Sequence, residues 1–95
     1  MPNPRQAARE YARQHQQEFL DRLKEFVSIA SVSTNPDAGP EIQRAAEWVA
    51  TRLTALGVEK VAILPTDGHP VVVGEWRALS AVEGQAKPTM LVYGH

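Results

Sequence analysis

The sequence predicts an α/β fold in which two N-terminal helices are followed by three strands. Apolar residues recur every three or four positions through about the first 56 residues, as they do on one face of an α-helix. Three β-branched or apolar runs follow, and polar turn residues separate them. A chain of 95 residues forms at most one small domain, and this order lacks the later helices that would cover such a sheet. We therefore expect the chain to be the incomplete beginning of a larger domain.

The two helices are expected at about 6–30 and 40–56. The apolar stripe of the first helix is formed by Ala8, Tyr11, Ala12, His15, Phe19, Leu23, Phe26, Val27 and Ala30. Asn-Pro and Gly-Pro pairs between the helices favour turns and helix starts. Trp48 lies beside the stripe of the second helix, which consists of Ile42, Ala45, Ala46, Val49, Leu53 and Leu56. Gly57 then stands where a left-handed C-terminal cap is expected.

The strands are expected at about 60–64, 71–76 and 89–93. A turn through Asp67 and Gly68 joins the first two strands. The third strand is apolar on both faces, which is typical of a buried central strand rather than one with a wet face. Such a strand needs neighbouring strands and covering helices, and this requirement supports the interpretation of an incomplete domain.

Composition and charge exclude several classes of function. The formal net charge is −1, and no basic stripe is present that could neutralise phosphates, so we expect no nucleic-acid partner. The absence of cysteine excludes disulfides and thiolate metal sites from this sequence. No apolar run approaches the roughly 20 residues of a membrane span, and the N-terminus lacks the apolar stretch of a secretory signal. We expect a cytoplasmic protein without a membrane partner.

His95 is the candidate functional residue of the sequence. It follows the expected third strand, and ligands in open α/β sheets gather at the carboxyl ends of strands. Gly94 allows close backbone approach at this point, and a neutral imidazole is a suitable metal ligand. In contrast, His15 lies in an apolar stripe, where a packing role is expected. His69 is expected to be a solvated turn residue.

The serine hydroxyls supply no candidate nucleophile. Ser28, Ser31 and Ser33 follow the first helix, but no His-Asp arrangement accompanies them, and hydroxyls in such a place usually cap a helix. We therefore identify no catalytic residue within the chain and no substrate-binding residue.

Four stretches of the sequence resemble the dinuclear zinc exopeptidases and deacylases. This superfamily includes carnosinase-like dipeptidases, carboxypeptidase G, aminoacylase, acetylornithine deacetylase and succinyl-diaminopimelate desuccinylase. The terminal LVYGH is similar to the start of its Tyr-Gly-His-x-Asp-Val signature. FLDRLKEFVSIASVST resembles its first helix and Ile-Pro-Ser-Val-Ser ending, with Ala30 where the family usually has proline. The family's second helix and first strand resemble EIQRAAEWVATRLTALGVEKVAIL. The second strand of its dipeptidase-like members resembles GHPVVVGEW.

The resemblance implies the start of a three-layer αβα catalytic domain, which a second, dimerising domain accompanies in full-length homodimeric members. It implies metal-dependent hydrolysis of an amide bond in dipeptides or N-acyl amino acids, with a dipeptidase favoured. The family's site holds two zinc ions, with Mn²⁺ or Co²⁺ as alternatives, and His95 is implied as a ligand of one ion. A bridging aspartate two residues further on, the other ligands and the general-base glutamate are expected beyond His95. Because a catalytic zinc needs about three protein ligands, the chain alone is expected to be inactive.

A small non-catalytic α+β module for binding or structure is the alternative interpretation. Its support is that the sequence places no second candidate ligand near His95 and no acid–base pair. The codons after His95 distinguish the two interpretations, because an aspartate two residues further on is expected only for the hydrolase.

Overall fold

The computed structural model describes residues 3–77 and 88–95 of the chain. Its elements are α1 (Pro4–Gln14), α2 (Gln16–Val27), a short 3₁₀ helix (Pro36–Ala38), α3 (Gly39–Ala55), β1 (Glu59–Leu64) and β2 (Val71–Glu75). The two strands form an antiparallel sheet. The described chain therefore mixes helices and strands, as the sequence predicts.

Two helices occupy the segment for which the sequence predicts one helix over 6–30. The side chain of Asn3 caps α1 by accepting a hydrogen bond from the backbone N–H of Gln6 at 2.8 Å. Helical dihedrals are interrupted at His15, which has φ −107° and ψ 17°. There the backbone N–H and the ring Nδ1–H both bond to the carbonyl oxygen of Tyr11, at 3.0 and 2.9 Å. A side chain that enters the hydrogen-bond ladder in this way is a known cause of a helix break.

Helix α3 agrees with the second predicted helix, and its C-terminus has the expected glycine cap. Gly57 has a φ of +88°, and its N–H bonds to the carbonyl oxygen of Thr54 at 3.0 Å. The N–H of Val58 bonds to the carbonyl oxygen of Leu53 at 3.1 Å. This pair of bonds is a Schellman motif, which satisfies carbonyl groups that a helix end leaves free. The motif turns the chain directly into β1.

The β1–β2 hairpin packs against α3. Leu64 lies opposite Val71, and Ala62 lies opposite Val73, in an antiparallel register. A Cβ atom at Gly74 would lie 2.7 Å from Cγ1 of Val58, closer than real Cβ contacts come. Glycine at this position therefore lets β2 approach the segment that leaves α3.

Few side chains are buried in the described part of the chain. The buried apolar residues are Ile29, Ala38 and Ala46. The accessible surface is 8519 Å², whereas a compact protein of this mass exposes roughly 5,400 Å². Large apolar side chains on α1 and α2 remain exposed, namely Tyr11, Phe19, Leu20, Leu23 and Val27. The described elements therefore leave much of their apolar surface uncovered.

The third predicted strand, 89–93, is not confirmed. Residues 88–95 have no regular secondary structure, and the side chains of Met90, Leu91, Val92 and Tyr93 are 79% to 91% exposed. A strand forms only when its backbone pairs with a neighbour, and among the described residues β1 and β2 pair with each other. The predicted three-layer arrangement is likewise not confirmed within residues 3–77 and 88–95. None of the described helices has the length and apolar character that crossing a membrane requires.

Gly57→Ala is expected to lower the free energy of unfolding by about 1 kcal/mol, because an L side chain is strained in the left-handed region that Gly57 occupies. Gly39→Ala is the matched control, since Gly39 has a φ of −50° and a Cβ there would meet no atom within 4 Å. The control should be neutral or slightly stabilising. Urea unfolding followed by circular dichroism compares the two variants, and an equal loss of stability in both would contradict the cap at Gly57.

Candidate functional site

His95 is exposed and belongs to the described segment 88–95. Its Nδ1 lies 3.0 Å from the hydroxyl oxygen of Tyr93. The two rings are tilted by 46°, and their centroids are 6.4 Å apart. Among the described residues, Nε2 of His95 has no hydrogen-bond partner. One ring nitrogen is therefore engaged, and no described residue bonds to the other.

His15 lies at the junction of α1 and α2 and packs against aromatic neighbours. Its ring stacks on Tyr11 with centroids 3.9 Å apart and an interplanar angle of 17°. Its Nδ1–H donates to the carbonyl oxygen of Tyr11 at 2.9 Å. A carbonyl oxygen only accepts, so the proton of a neutral His15 ring is on Nδ1. This environment agrees with the packing role that the apolar stripe predicts.

His69 makes a long-range contact that the sequence does not reveal. Its Nε2–H donates to the carbonyl oxygen of Ser33 at 2.8 Å, although 36 positions separate the two residues. The hydroxyl of Thr66 donates to the carbonyl oxygen of His69 at 2.6 Å and accepts the N–H of Gly68 at 3.0 Å. His69 is exposed, as expected for a turn residue, but it also ties the β1–β2 turn to the loop between α2 and α3.

The contact between His69 and Ser33 does not create an activated nucleophile. The imidazole bonds to the backbone carbonyl of Ser33 and not to its hydroxyl. The hydroxyl of Ser28 donates to the carbonyl oxygen of Glu25 at 2.6 Å, where α2 ends at Val27. This bond is the helix-end role expected for a serine hydroxyl.

The described residues do not gather a complete metal site. Within residues 3–77 and 88–95, no group of three or more His, Cys, Asp or Glu side chains is placed to hold a metal ion. His15 and His69 each commit one ring nitrogen to a backbone carbonyl. In this part of the chain, the structure brings no second and third ligand to His95.

An aromatic and polar contact joins α2 to α3. Trp48 stacks on Phe26 with centroids 4.8 Å apart, and its Nε1–H donates to Oε1 of Glu25 at 2.8 Å. The guanidinium of Arg22 lies 3.4 Å from Oε2 of the same carboxylate. The hydrogen bond from Trp48, together with the charges of Arg22 and Arg52, lowers the pKa of Glu25 below its ordinary value of 4.5. These partners favour the charged carboxylate, and partial desolvation opposes them.

Comparison with curated proteins finds similarity to a hydrolase. The chain is 31% identical over 84 residues to a Cys-Gly metallodipeptidase of Candida albicans. The match covers 81% of this chain, and the chain spans only 17% of that relative's length. No protein-family model and no solved structure matches the chain.

The name of that relative describes a peptidase that uses a metal ion. The donor chemistry of His95 fits one position of a metal site, because an open imidazole nitrogen is a good ligand for zinc and related ions. A catalytic zinc ordinarily has about three protein ligands, and the described residues place no group of three around His95.

Glu25→Gln is expected to make the stability of the chain less sensitive to acid. The pKa of Glu25 is lowered on folding, so its carboxylate adds stability above the ordinary pKa of 4.5. That contribution is lost as the pH falls through the lower pKa of the folded state. Urea unfolding at a series of pH values from 7 to about 3 measures the effect.

Glu18→Gln is the control for this prediction, since Glu18 lies on the same helix and does not bond to Trp48. The control should keep the acid sensitivity of the unchanged chain. The proposed electrostatic role of the Trp48 contact is wrong if Glu25→Gln also keeps that sensitivity.

Proposed function

We propose that this chain is part of a metal-dependent hydrolase that cleaves dipeptides, and that His95 is one of its metal ligands. The observation that carries the proposal is the 31% identity over 84 residues to a Cys-Gly metallodipeptidase. The name of that relative makes Cys-Gly the first dipeptide to test. N-acyl amino acids are the second substrate class, because the sequence also resembles deacylases.

The proposed reaction is the hydrolysis of an amide bond with the help of a metal ion. Bound zinc, or Mn²⁺ or Co²⁺ in its place, would polarise the scissile carbonyl and activate a water molecule. The role of His95 is to hold an ion through its open ring nitrogen, as a neutral imidazole. A site with two ions follows from the resemblance of LVYGH to the zinc exopeptidases.

The catalytic unit is proposed to be larger than the 95 residues of this chain. Two observations support this step, namely the 17% share of the relative's length and the accessible surface of 8519 Å². In the complete enzyme, residues 89–93 are proposed to become a strand of an αβα domain that later helices cover. Later residues are proposed to supply the remaining ligands, the general base and a dimerising domain. A cytoplasmic homodimer is part of the same proposal and rests on the resemblance alone.

A non-catalytic module for binding or structure is the second candidate. The observation in its favour is that the described residues hold no group of three or more side chains placed to bind a metal ion. The two candidates differ in their residues after His95 and in their capacity for hydrolysis, and the next experiment separates them.

The product of the complete gene is expected to hydrolyse Cys-Gly or a related dipeptide, and a chelator should abolish this activity. His95→Ala should lower kcat by at least about a hundredfold, because loss of a ligand in the first coordination shell removes the metal or displaces it. His15→Ala is the matched control, since it removes an imidazole whose contacts are with Tyr11 and Phe19. Metal content and circular dichroism accompany the kinetics. The proposal is wrong if His95→Ala keeps near-normal turnover or if the chelator leaves the activity unchanged.

The purified 95-residue chain is expected to be marginally stable or to self-associate. Its buried apolar residues in the described part are few, and the run Met90–Tyr93 is available for pairing with another chain. Sedimentation velocity and chemical denaturation measure the two properties. A monomer with a cooperative transition above about 5 kcal/mol, the lower limit for ordinary domains, would favour the self-contained module instead.

A further inference from the structure

We propose that Tyr93 is a positioning residue for His95, because its hydroxyl engages Nδ1 and leaves Nε2 as the nitrogen that binds the metal ion. This inference rests on the proposed function, since it names the ligand atom of the same site. It adds a second side chain to that site and gives the side chain a role that can be measured without catalysis.

The contact between the two side chains is a hydrogen bond and not a ring stack. The hydroxyl oxygen of Tyr93 and Nδ1 of His95 are 3.0 Å apart, whereas the ring centroids are 6.4 Å apart and tilted by 46°. The two residues are two positions apart in the chain, and Gly94 lies between them. Because Tyr93 is 79% exposed, removal of its hydroxyl should leave the rest of the fold unchanged.

The hydrogen bond occupies Nδ1 of His95 in either tautomer and leaves Nε2 as the nitrogen that a cation can reach. A tyrosine hydroxyl both donates and accepts, whereas each nitrogen of a neutral imidazole does only one of the two. When a cation occupies Nε2, the proton of the neutral ring is on Nδ1, and the oxygen of Tyr93 accepts it. Histidines that bind metals generally have such a partner on their other nitrogen, which fixes both the tautomer and the ring orientation.

His15 and His69 provide internal references for this assignment. The carbonyl of Tyr11 accepts Nδ1–H of His15, and no described residue bonds to its Nε2. The carbonyl of Ser33 accepts Nε2–H of His69, and within residues 3–77 and 88–95 its Nδ1 has no partner. Zinc added in solution should therefore bind Nε2 of His15 and Nδ1 of His69. The signals of these two rings then show what each mode of binding looks like, and the signals of His95 can be compared with them.

The test is nitrogen NMR of the 95-residue chain with ¹⁵N-labelled histidine and Zn²⁺ as the probe. In the unchanged chain, millimolar Zn²⁺ should shift Nε2 of His95 while Nδ1 keeps its proton. In Tyr93→Phe, the ratio of Nδ1-bound to Nε2-bound zinc should rise by about threefold to tenfold, the range expected from the loss of one hydrogen bond. His95→Ala assigns the signals of this ring.

Tyr11→Phe is the matched control, because it removes a tyrosine hydroxyl while the bond to His15 uses the backbone carbonyl of Tyr11. Its three histidine patterns should be those of the unchanged chain. The inference is overturned if zinc binds Nδ1 of His95, if no His95 signal responds to zinc, or if Tyr93→Phe leaves the ratio unchanged. If Tyr93→Phe changes the ratio but the complete protein hydrolyses no dipeptide, the proposed function is wrong and the role of Tyr93 stands. If the complete protein hydrolyses dipeptides but Tyr93→Phe leaves the ratio unchanged, only the role of Tyr93 is wrong.

Discussion

The packing of α3 against the β1–β2 hairpin is the contact on which the described fold depends. The Schellman motif at Gly57 reverses the chain, and the absence of a side chain at Gly74 lets β2 approach the chain that leaves α3. Two further links attach the remaining segments to this unit. The indole of Trp48 holds α2 through Glu25 and Phe26, and the ring of His69 holds the loop that contains Ser33. Each link consists of one or two side-chain contacts, so the position of α2 depends on a few interactions.

Local sequence signals predicted the elements of this central unit. The spacing of apolar residues indicated α3, and the β-branched runs on both sides of Asp67 and Gly68 indicated the hairpin. The break at His15 was not predictable from spacing, because the apolar stripe continues through it. At the break the imidazole and the backbone N–H of His15 share the carbonyl of Tyr11, and hydrophobic periodicity contains no information about such a shared acceptor.

Two contacts that the sequence did not predict join residues far apart in the chain. Trp48 and Glu25 are 23 positions apart, and His69 and Ser33 are 36 positions apart, so no local pattern connects either pair. The candidate site was also predicted only in part. His95 was identified from its place after an apolar run and from the resemblance of LVYGH to a known signature. Its contact with Tyr93 depends on rotamers, which residue order alone does not specify.

The ligand role proposed for His95 requires both a fixed side-chain rotamer and a fixed backbone. Tyr93 orients the imidazole relative to its own segment, but residues 88–95 have no regular secondary structure to hold that segment. Fixing the backbone of residues 89–93 costs roughly 5–10 kcal/mol, at 1–2 kcal/mol for each residue. Burying the side chains of Met90, Leu91, Val92 and Tyr93 returns about 6–12 kcal/mol, at 1.5–3 kcal/mol for each. Because the two terms are of equal size, the strand forms only when nearly all four side chains are covered. On the proposed function, the contacts that cover this run would also hold His95 in place, so that formation of the strand and preorganisation of the metal ligand are one event.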